Sequence, residues 1–227
     1  MPITSDVRPD LGRPDVTAAL VEEAVLGDPR HLETAAAAVL AHWQAAEWPA
    51  GLLSLSLFTG TDGTSLLAYA QWAAGPGSQD VLIKAYAALR PDWRSLGLTP
   101  GEPQAVELYR RVQPTELPDP VPPVGCYPAA FFAMNDGDTA RAWVDGLLGT
   151  EEKTVGEDRA YPGAIAANFH VSADDSGIFL LSEWASEAEA LVHIKAEIEP
   201  LLAYMGQAEA GAGRRYAFHA SLAATAG

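Results

Sequence analysis

The stretch 180-LLSEWASEAEALVHIKAE-197 decides the fold, because a thinner version of it, 66-LLAYAQWAAGPGSQDVLIKAY-86, stands earlier in the chain. Each reads as an apolar strand-like run ending in Trp, a break of small residues, and a helical segment carrying Ile-Lys-Ala. With Trp72 set over Trp184, "GLLSLSLFTGTDGTSLLAYAQW" (51–72) lies on "GAIAANFHVSADDSGIFLLSEW" (163–184) without a gap. Glycine opens both. Asp62 meets Asp174 in the turn, and apolar positions coincide at Leu53/Ile165, Leu57/Phe169, Leu66/Ile178 and Leu67/Phe179. Upstream, Trp48 matches Tyr161 with one residue of slippage; downstream, "VLIKA" (81–85) matches "VHIKA" (192–196). The chain reads as one unit written twice.

Each copy predicts the order βαββαβ. First strands fall at 18–25 and 125–133, and first helices, by apolar spacing, at 29–47 and 139–148. Hairpins follow at 52–59 with 65–72 and at 164–172 with 178–184, both turning through Asp/Gly/Ser. Second helices run over 79–89 and 187–205, and closing strands over 105–112 and 214–220. This is a ferredoxin-like unit. Between the copies "QPTELPDPVPPV" (113–124) packs five prolines into twelve residues, a stiff extended linker. The expected organisation is a tail (1–15), a first repeat (16–113), a linker (114–123) and a second repeat (124–222). A ferredoxin-like sheet carries helices on one face and needs cover on the other. The expected architecture is therefore α+β: two βαββαβ repeats packed sheet to sheet, a fused dimeric α/β barrel.

Composition narrows the partners. The 227 residues carry 30 acidic and 14 basic side chains, a net charge of −16, which repels phosphate backbones and anionic membranes. Nucleic acid and membrane are not expected partners. Hydrophobic content of 48% with 19% charged residues fits a chain with a real core. Cys126 stands alone, so no intrachain disulfide is possible. The opening "MPITSDVRPDLGRPD" lacks the apolar core of a signal peptide, and no apolar run reaches the roughly 20 residues of a membrane span. A cytoplasmic location is expected.

The tandem plan, with a hairpin ending in Trp ahead of the second helix, resembles the antibiotic biosynthesis monooxygenase (ABM) family. The resemblance is carried by "YAQWAA" (69–74), "LLSEWASEAEALVHI" (180–194) and "YPGAIAANFHVS" (161–172). It implies a dimeric α/β barrel fold, here fused into one chain. For many members it also implies oxidation of aromatic polyketide intermediates by O₂ without a prosthetic group; some relatives degrade haem. The family's Trp points into a pocket between sheet and helices, so Trp72 and Trp184 would line two pseudo-equivalent pockets; the alternative is that both are core residues covering the sheet. A helical His is often placed where His193 falls, nine residues after Trp184, and Leu82 holds the matching place in the first copy. His193 could draw a proton from a phenol or anthrone carbon, since imidazole titrates near working pH. The polyketide oxygenases carry an Asn four residues before the Trp; here Ala68 and Leu180 stand there. The haem-degrading relatives need an Asn near the first strand, where Asn135 lies, and a ligand His after the Trp.

Strand parity sorts the remaining candidates. With Asp62-Gly63 as a two-residue turn, Leu53, Leu55 and Leu57 share a face with Ala68, Ala70 and Trp72, opposite Ser54, Ser56, Tyr69 and Gln71. In the second copy Ile165, Ala167, Phe169 and Ser182 join Trp184, opposite Asn168, His170 and Glu183. That polar trio reads either as a hydrogen-bonded network reaching Ser54, Ser56, Tyr69 and Gln71, or as a His170–Glu183 acid/base pair at a pocket. The candidate catalytic residues are His193 and Trp184; the candidate substrate-binding residues are Trp72, Tyr86, Asn168 and His170. No cofactor or metal site is expected: "GTDGTS" (60–65) joins two strands, "GAGRRY" (211–216) leads into one, and the histidines lack metal-ligand spacing.

The expectation is a cofactor-independent oxygenase of an aromatic polyketide-type intermediate, with that substrate and O₂ as partners. The rivals are a non-catalytic tandem module binding a small aromatic ligand or a partner protein, and a haem-degrading relative. The assembly would be a monomeric pseudo-dimer or a homodimer of fused chains. If one pocket works, it should be the second, where His193 replaces Leu82.

Overall fold

The computed structural model describes residues 3–5, 8–73, 79–156, 158–204 and 213–224. It is α+β, and every strand pairing with a resolved register is antiparallel. The chain forms two compact units, residues 1–107 with 216–227, and residues 108–215. It passes between them inside strands, after Glu107 and after Arg215.

In the first unit the strands are β1 (Ile3–Ser5), β2 (Ala18–Leu26), β3 (Leu52–Gly60), β4 (Ser65–Trp72), β5 (Leu98–Pro100), the start of β6 (Gln104–Val112) and most of the last strand, Arg214–Ala223. The last strand lies between β1 and β3, followed by β4, β2 and β6, with β5 on β2. The helices are α1 (Leu32–Ala45) and α2 (Gln79–Ala87). A single 3₁₀ turn, Pro29–His31, leads into α1 because Asp28 accepts from the Arg30 amide. The Ala-rich α1 turns Ala35, Ala36, Val39 and Trp43 onto the sheet. There they join Leu20, Leu55, Leu57, Trp72, Tyr86 and Trp93 in one core.

The second unit begins with the end of β6 and holds β7 (Tyr127–Ala133), α3 (Gly137–Val155), β8 (Ala164–Ser172), β9 (Gly177–Trp184), α4 (Glu187–His193) and α5 (Glu199–Tyr204). The strand order is β6-β8-β9-β7, with the last strand, β10, beside β7. Asp136 caps α3, accepting from the Thr139 amide at 2.7 Å. Ser186 caps α4 through the Glu189 amide at 3.3 Å and donates to the Glu189 carboxylate at 2.7 Å, a capping box set directly after Trp184. Between α4 and α5 the helix widens into a π segment, Ile194–Ile198, starting one residue after His193. Such widened turns gather at functional sites.

The two hairpins are built alike. Gly51 and Gly163 open them at φ +82° and +77°, where a side chain would be strained. Their carbonyls accept from Ala73 and Ala185, which follow the two Trp residues, at 2.9 and 2.8 Å. Asp62 and Asp174 accept from the amides two residues on, Thr64 and Ser176.

Parity holds over most of both hairpins: Leu55 faces Ala70 and Leu57 faces Ala68, while Ala167 faces Ser182 and Asn168 faces Leu181. It breaks at one place in each. A β-bulge at Leu53 makes Leu52 the partner of Trp72, and a bulge at Ile165 makes Ala164 the partner of Trp184. The bulge inserts one residue, so the expected Leu53 and Ile165 are displaced by their neighbours. Strands β1 and β5, three residues each, are not foreseen from the sequence. Helix α3 runs seven residues past its expected end at Leu148. Met205, where the second helix was expected to end, lies outside the described residues.

Candidate active site

The second unit contains a cavity of about 270 Å³ between its sheet and its helices. Its floor is made of small strand residues, Ala130, Ala164 and Ala167, with Phe132, Phe169 and Leu180 as apolar walls. Trp184 and His193 both line it. This is the mostly apolar concavity, with a few convergent polar groups, expected of a small-molecule site.

Trp184 is held from both ends of its residue. Its backbone exchanges hydrogen bonds with Cys126, at 2.9 and 3.0 Å, and its indole N–H donates to Ser182 Oγ at 3.3 Å. The capping box begins α4 two residues later, which brings His193 back over the indole. The imidazole stacks at 4.9 Å and 34° on Trp184, and meets the Tyr161 ring edge-on at 4.3 Å and 61°. Among the described residues the buried Nδ1 of His193 has no hydrogen-bond partner. Burial pushes the imidazole down to about 4, so the ring is neutral at physiological pH.

A polar group adjoins this aromatic pair. Tyr161 hydrogen-bonds Glu151, and both line the cavity with Arg159 and Glu197. Burial raises the Glu151 carboxyl above the usual range, offset by the Tyr161 hydrogen bond and the Arg159 charge. Burial, and then the Glu151 charge, pushes the Tyr161 phenol far up. Arg159 Nε lies 3.6 Å from Glu151, and the same guanidinium pairs with Glu152.

Of the residues singled out from sequence, the structure therefore brings together Trp184 and His193. It places the others elsewhere. Trp72 and Tyr86 belong to the packed core of the first unit, at 0% and 1% exposure. Burial and the charge of Glu22 raise the Tyr86 phenol well above its usual value. Asn168 and His170 are buried on the sheet face away from the cavity and do not line it. Asn168 donates to Leu181 O and to Glu183, both at 2.9 Å, and Arg111 donates to Asn168 at 2.5 Å and to Glu183 at 2.9 Å. His170 Nδ1 sits 3.2 Å from Phe179 O, and burial lowers its pKa to about 4. Asn168 and Glu183 are thus tied together through the part-buried Arg111, while His170 sits against the Phe179 carbonyl. Asn135 is exposed in the loop before α3.

Sequence reasoning missed Tyr161, Glu151, Arg159 and Glu197 as cavity residues. Tyr161 had a signal, its place in "YPG" ahead of the hairpin. The others come from the end of α3, the loop after it and the π segment, which no motif marks. Among the described residues no group of three or more His, Cys, Asp or Glu is placed to hold a metal ion, and no helix is long and apolar enough to cross a membrane.

An antiparallel α+β fold with a ring-sized apolar cavity under its helices defines the class of protein. No protein-family model matches the sequence, and no curated protein matches it. Among solved structures, one described as an anthrone oxidase-like protein aligns with a TM-score of 0.66 at 14% identity, covering 94% of this chain and 95% of that one. A monooxygenase-like protein from Listeria innocua aligns at a TM-score of 0.48 and 9% identity over 90% and 95% of the two chains. A heme-degrading enzyme from Listeria monocytogenes aligns at 0.42 and 9% identity over 90% and 98%. At these identities the first likeness is one of fold, and the other two carry no weight.

Proposed function

We propose that the chain is an ABM-type oxygenase, made of two copies of one βαββαβ unit (16–113 and 124–222), whose second copy oxidises an aromatic ring with O₂. One observation carries this reading: a neutral imidazole with an unpartnered, buried Nδ1, set between Trp184 and Tyr161 on the wall of an apolar cavity. Trp184 and the Ala floor offer a flat ring its stacking surface. His193 Nδ1, in the tautomer protonated at Nε2, accepts a proton from a phenol or from the activated carbon of an anthrone. Charging the imidazole is costly in an apolar site until an anion forms beside it. Transfer therefore proceeds as formation of an ion pair.

The resulting electron-rich anion passes an electron to O₂, and the radical pair combines at carbon to a peroxide. For an anthrone the methylene carbon exchanges two hydrogens for one oxygen atom. The second oxygen leaves with both hydrogens as water. All four electrons come from the substrate, so no external reductant enters. The chain's part is to bind the ring, take the proton and exclude bulk water from the intermediates. The fold shared with an anthrone oxidase-like protein supports the substrate class.

Metal-free protein incubated with an anthrone in air, with quinone formation followed by absorbance, tests the reading. Acceleration over buffer that is lost in Ala167→Leu, which fills the cavity floor, is the expected result. No acceleration across several anthrones and phenols would reject the oxygenase function.

A further inference from the structure

The lining of the cavity holds more carboxylate than cation. Glu151 and Glu197 both face it, and Arg159 is the cationic residue among its lining. That guanidinium is already engaged, 3.6 Å from Glu151 and paired with Glu152. His193, the other basic group, is neutral. Three carboxylates, Glu151, Glu152 and Glu197, thus stand against one cation at this end of the cavity, Glu151 half-buried and the other two exposed. Two buried polar atoms there nevertheless lack hydrogen-bond partners among the described residues: the Nε–H of Arg159, which faces Glu151 at 3.6 Å, beyond hydrogen-bond reach, and Nδ1 of His193. Unsatisfied buried groups of this kind are expected to meet a ligand.

We infer that the cavity admits uncharged aromatic rings bearing hydroxyl and carbonyl groups and rejects ring carboxylates, with Glu151 and Glu197 as the residues that set this specificity. The inference rests on the ring-binding reading above and deepens it. A ring hydroxyl donates to His193 Nδ1, and a ring carbonyl accepts from Arg159 Nε–H. Neither contact needs a charge on the ligand. A ring carboxylate would enter an apolar space next to Glu151 and Glu197 with no uncommitted cation to meet it. Like charges repel most where one of them, here the half-buried Glu151, is withdrawn from water. The carbonyl contact also supplies polarisation that Leu180, an apolar cavity residue, cannot.

The test uses naphthol and naphthoate, two-ring probes differing in charge, titrated into the full chain at low salt with tryptophan fluorescence as readout. Naphthoate is expected to bind at least about tenfold more weakly than naphthol. In the double variant Glu151→Gln, Glu197→Gln, naphthol binding should be kept and the gap should shrink several-fold. Added salt should narrow the gap in the wild type and leave it unmoved in the double variant. Equal affinities in the wild type, or a gap unchanged by the double substitution, would overturn the inference while leaving ring binding intact. If neither probe binds, the ring-binding reading falls and takes this inference with it.

Discussion

In the first unit Trp72 pairs with Leu52, and Ala70 with Leu55; in the second, Trp184 pairs with Ala164, and Ser182 with Ala167. The backbone is alike down to the bulge, but two leucines on the first sheet answer two alanines on the second. In the first unit, Trp43 and Trp93 complete the packing over Trp72 and Tyr86, and the Trp43 indole N–H donates to Leu89 O at 3.0 Å. In the second, the space above the alanines is the cavity, and His193 hangs over it. A difference of a few methyl groups on alike strands thus accompanies a buried Trp core in the first unit and a cavity in the second.

That difference can be broken from either side. Trp43→Ala empties the first core and should cost about 3–5 kcal/mol in urea unfolding. Leu55→Ala, which copies the second unit's floor into the first, should cost about 2–5 kcal/mol. The reciprocal change, Ala167→Leu, enters existing space. It should lower stability by less than about 1.5 kcal/mol, yet weaken naphthol binding at least about tenfold by occupying the ring's place. A large loss of stability in Ala167→Leu would mean that the cavity is not space available to a side chain.

The smallest effect is on pH. His170 and His193 both have folded-state values lowered by burial to about 4, below the ordinary value of 6.5. Between those values the unfolded chain binds protons that the folded chain refuses, so stability falls as pH drops from about 6.5 to about 4. His170→Asn should flatten that slope. An unchanged slope would show that His170 does not titrate on unfolding. For turnover, the acid limb of kcat/KM should lie near 4, the value of the free protein's imidazole, and not near 6.5.

Much of the fold was legible because strand alternation and turn chemistry are local. The Asp62 and Asp174 turns, the Trp-ended strands and the Ser186 cap all follow from neighbours within a few residues. The bulges were not legible, since one extra residue leaves no mark in an apolar run such as "GLLSL" or "GAIAA". Trp184 and His193, singled out from the sequence, stand against each other because the capped helix fixes their spacing. Trp72 and Tyr86, candidates for a pocket wall, lie in a buried core cluster; parity tells which face a side chain takes and not whether that face is filled. The difference was written at Leu52/Ala164 and Leu55/Ala167, which the gapless alignment sets over one another, but only the bulged register puts Leu52 and Ala164 opposite the two Trp residues. Arg111 went unnoticed because a charged residue near a strand end ordinarily reads as solvated. Here it supplies the partner that Asn168 and Glu183 need.

In the proposed mechanism His193, over the hollow of the second unit, takes the proton that starts oxidation. The most direct test compares anthrone oxidation in air by wild type and His193→Ala, each checked for an intact near-ultraviolet spectrum and for naphthol binding. A loss of about 100- to 10,000-fold in the variant, with naphthol binding weakened by no more than about tenfold through the lost hydroxyl contact, is the expected result. A variant that binds naphthol and oxidises anthrone at the wild-type rate would contradict it.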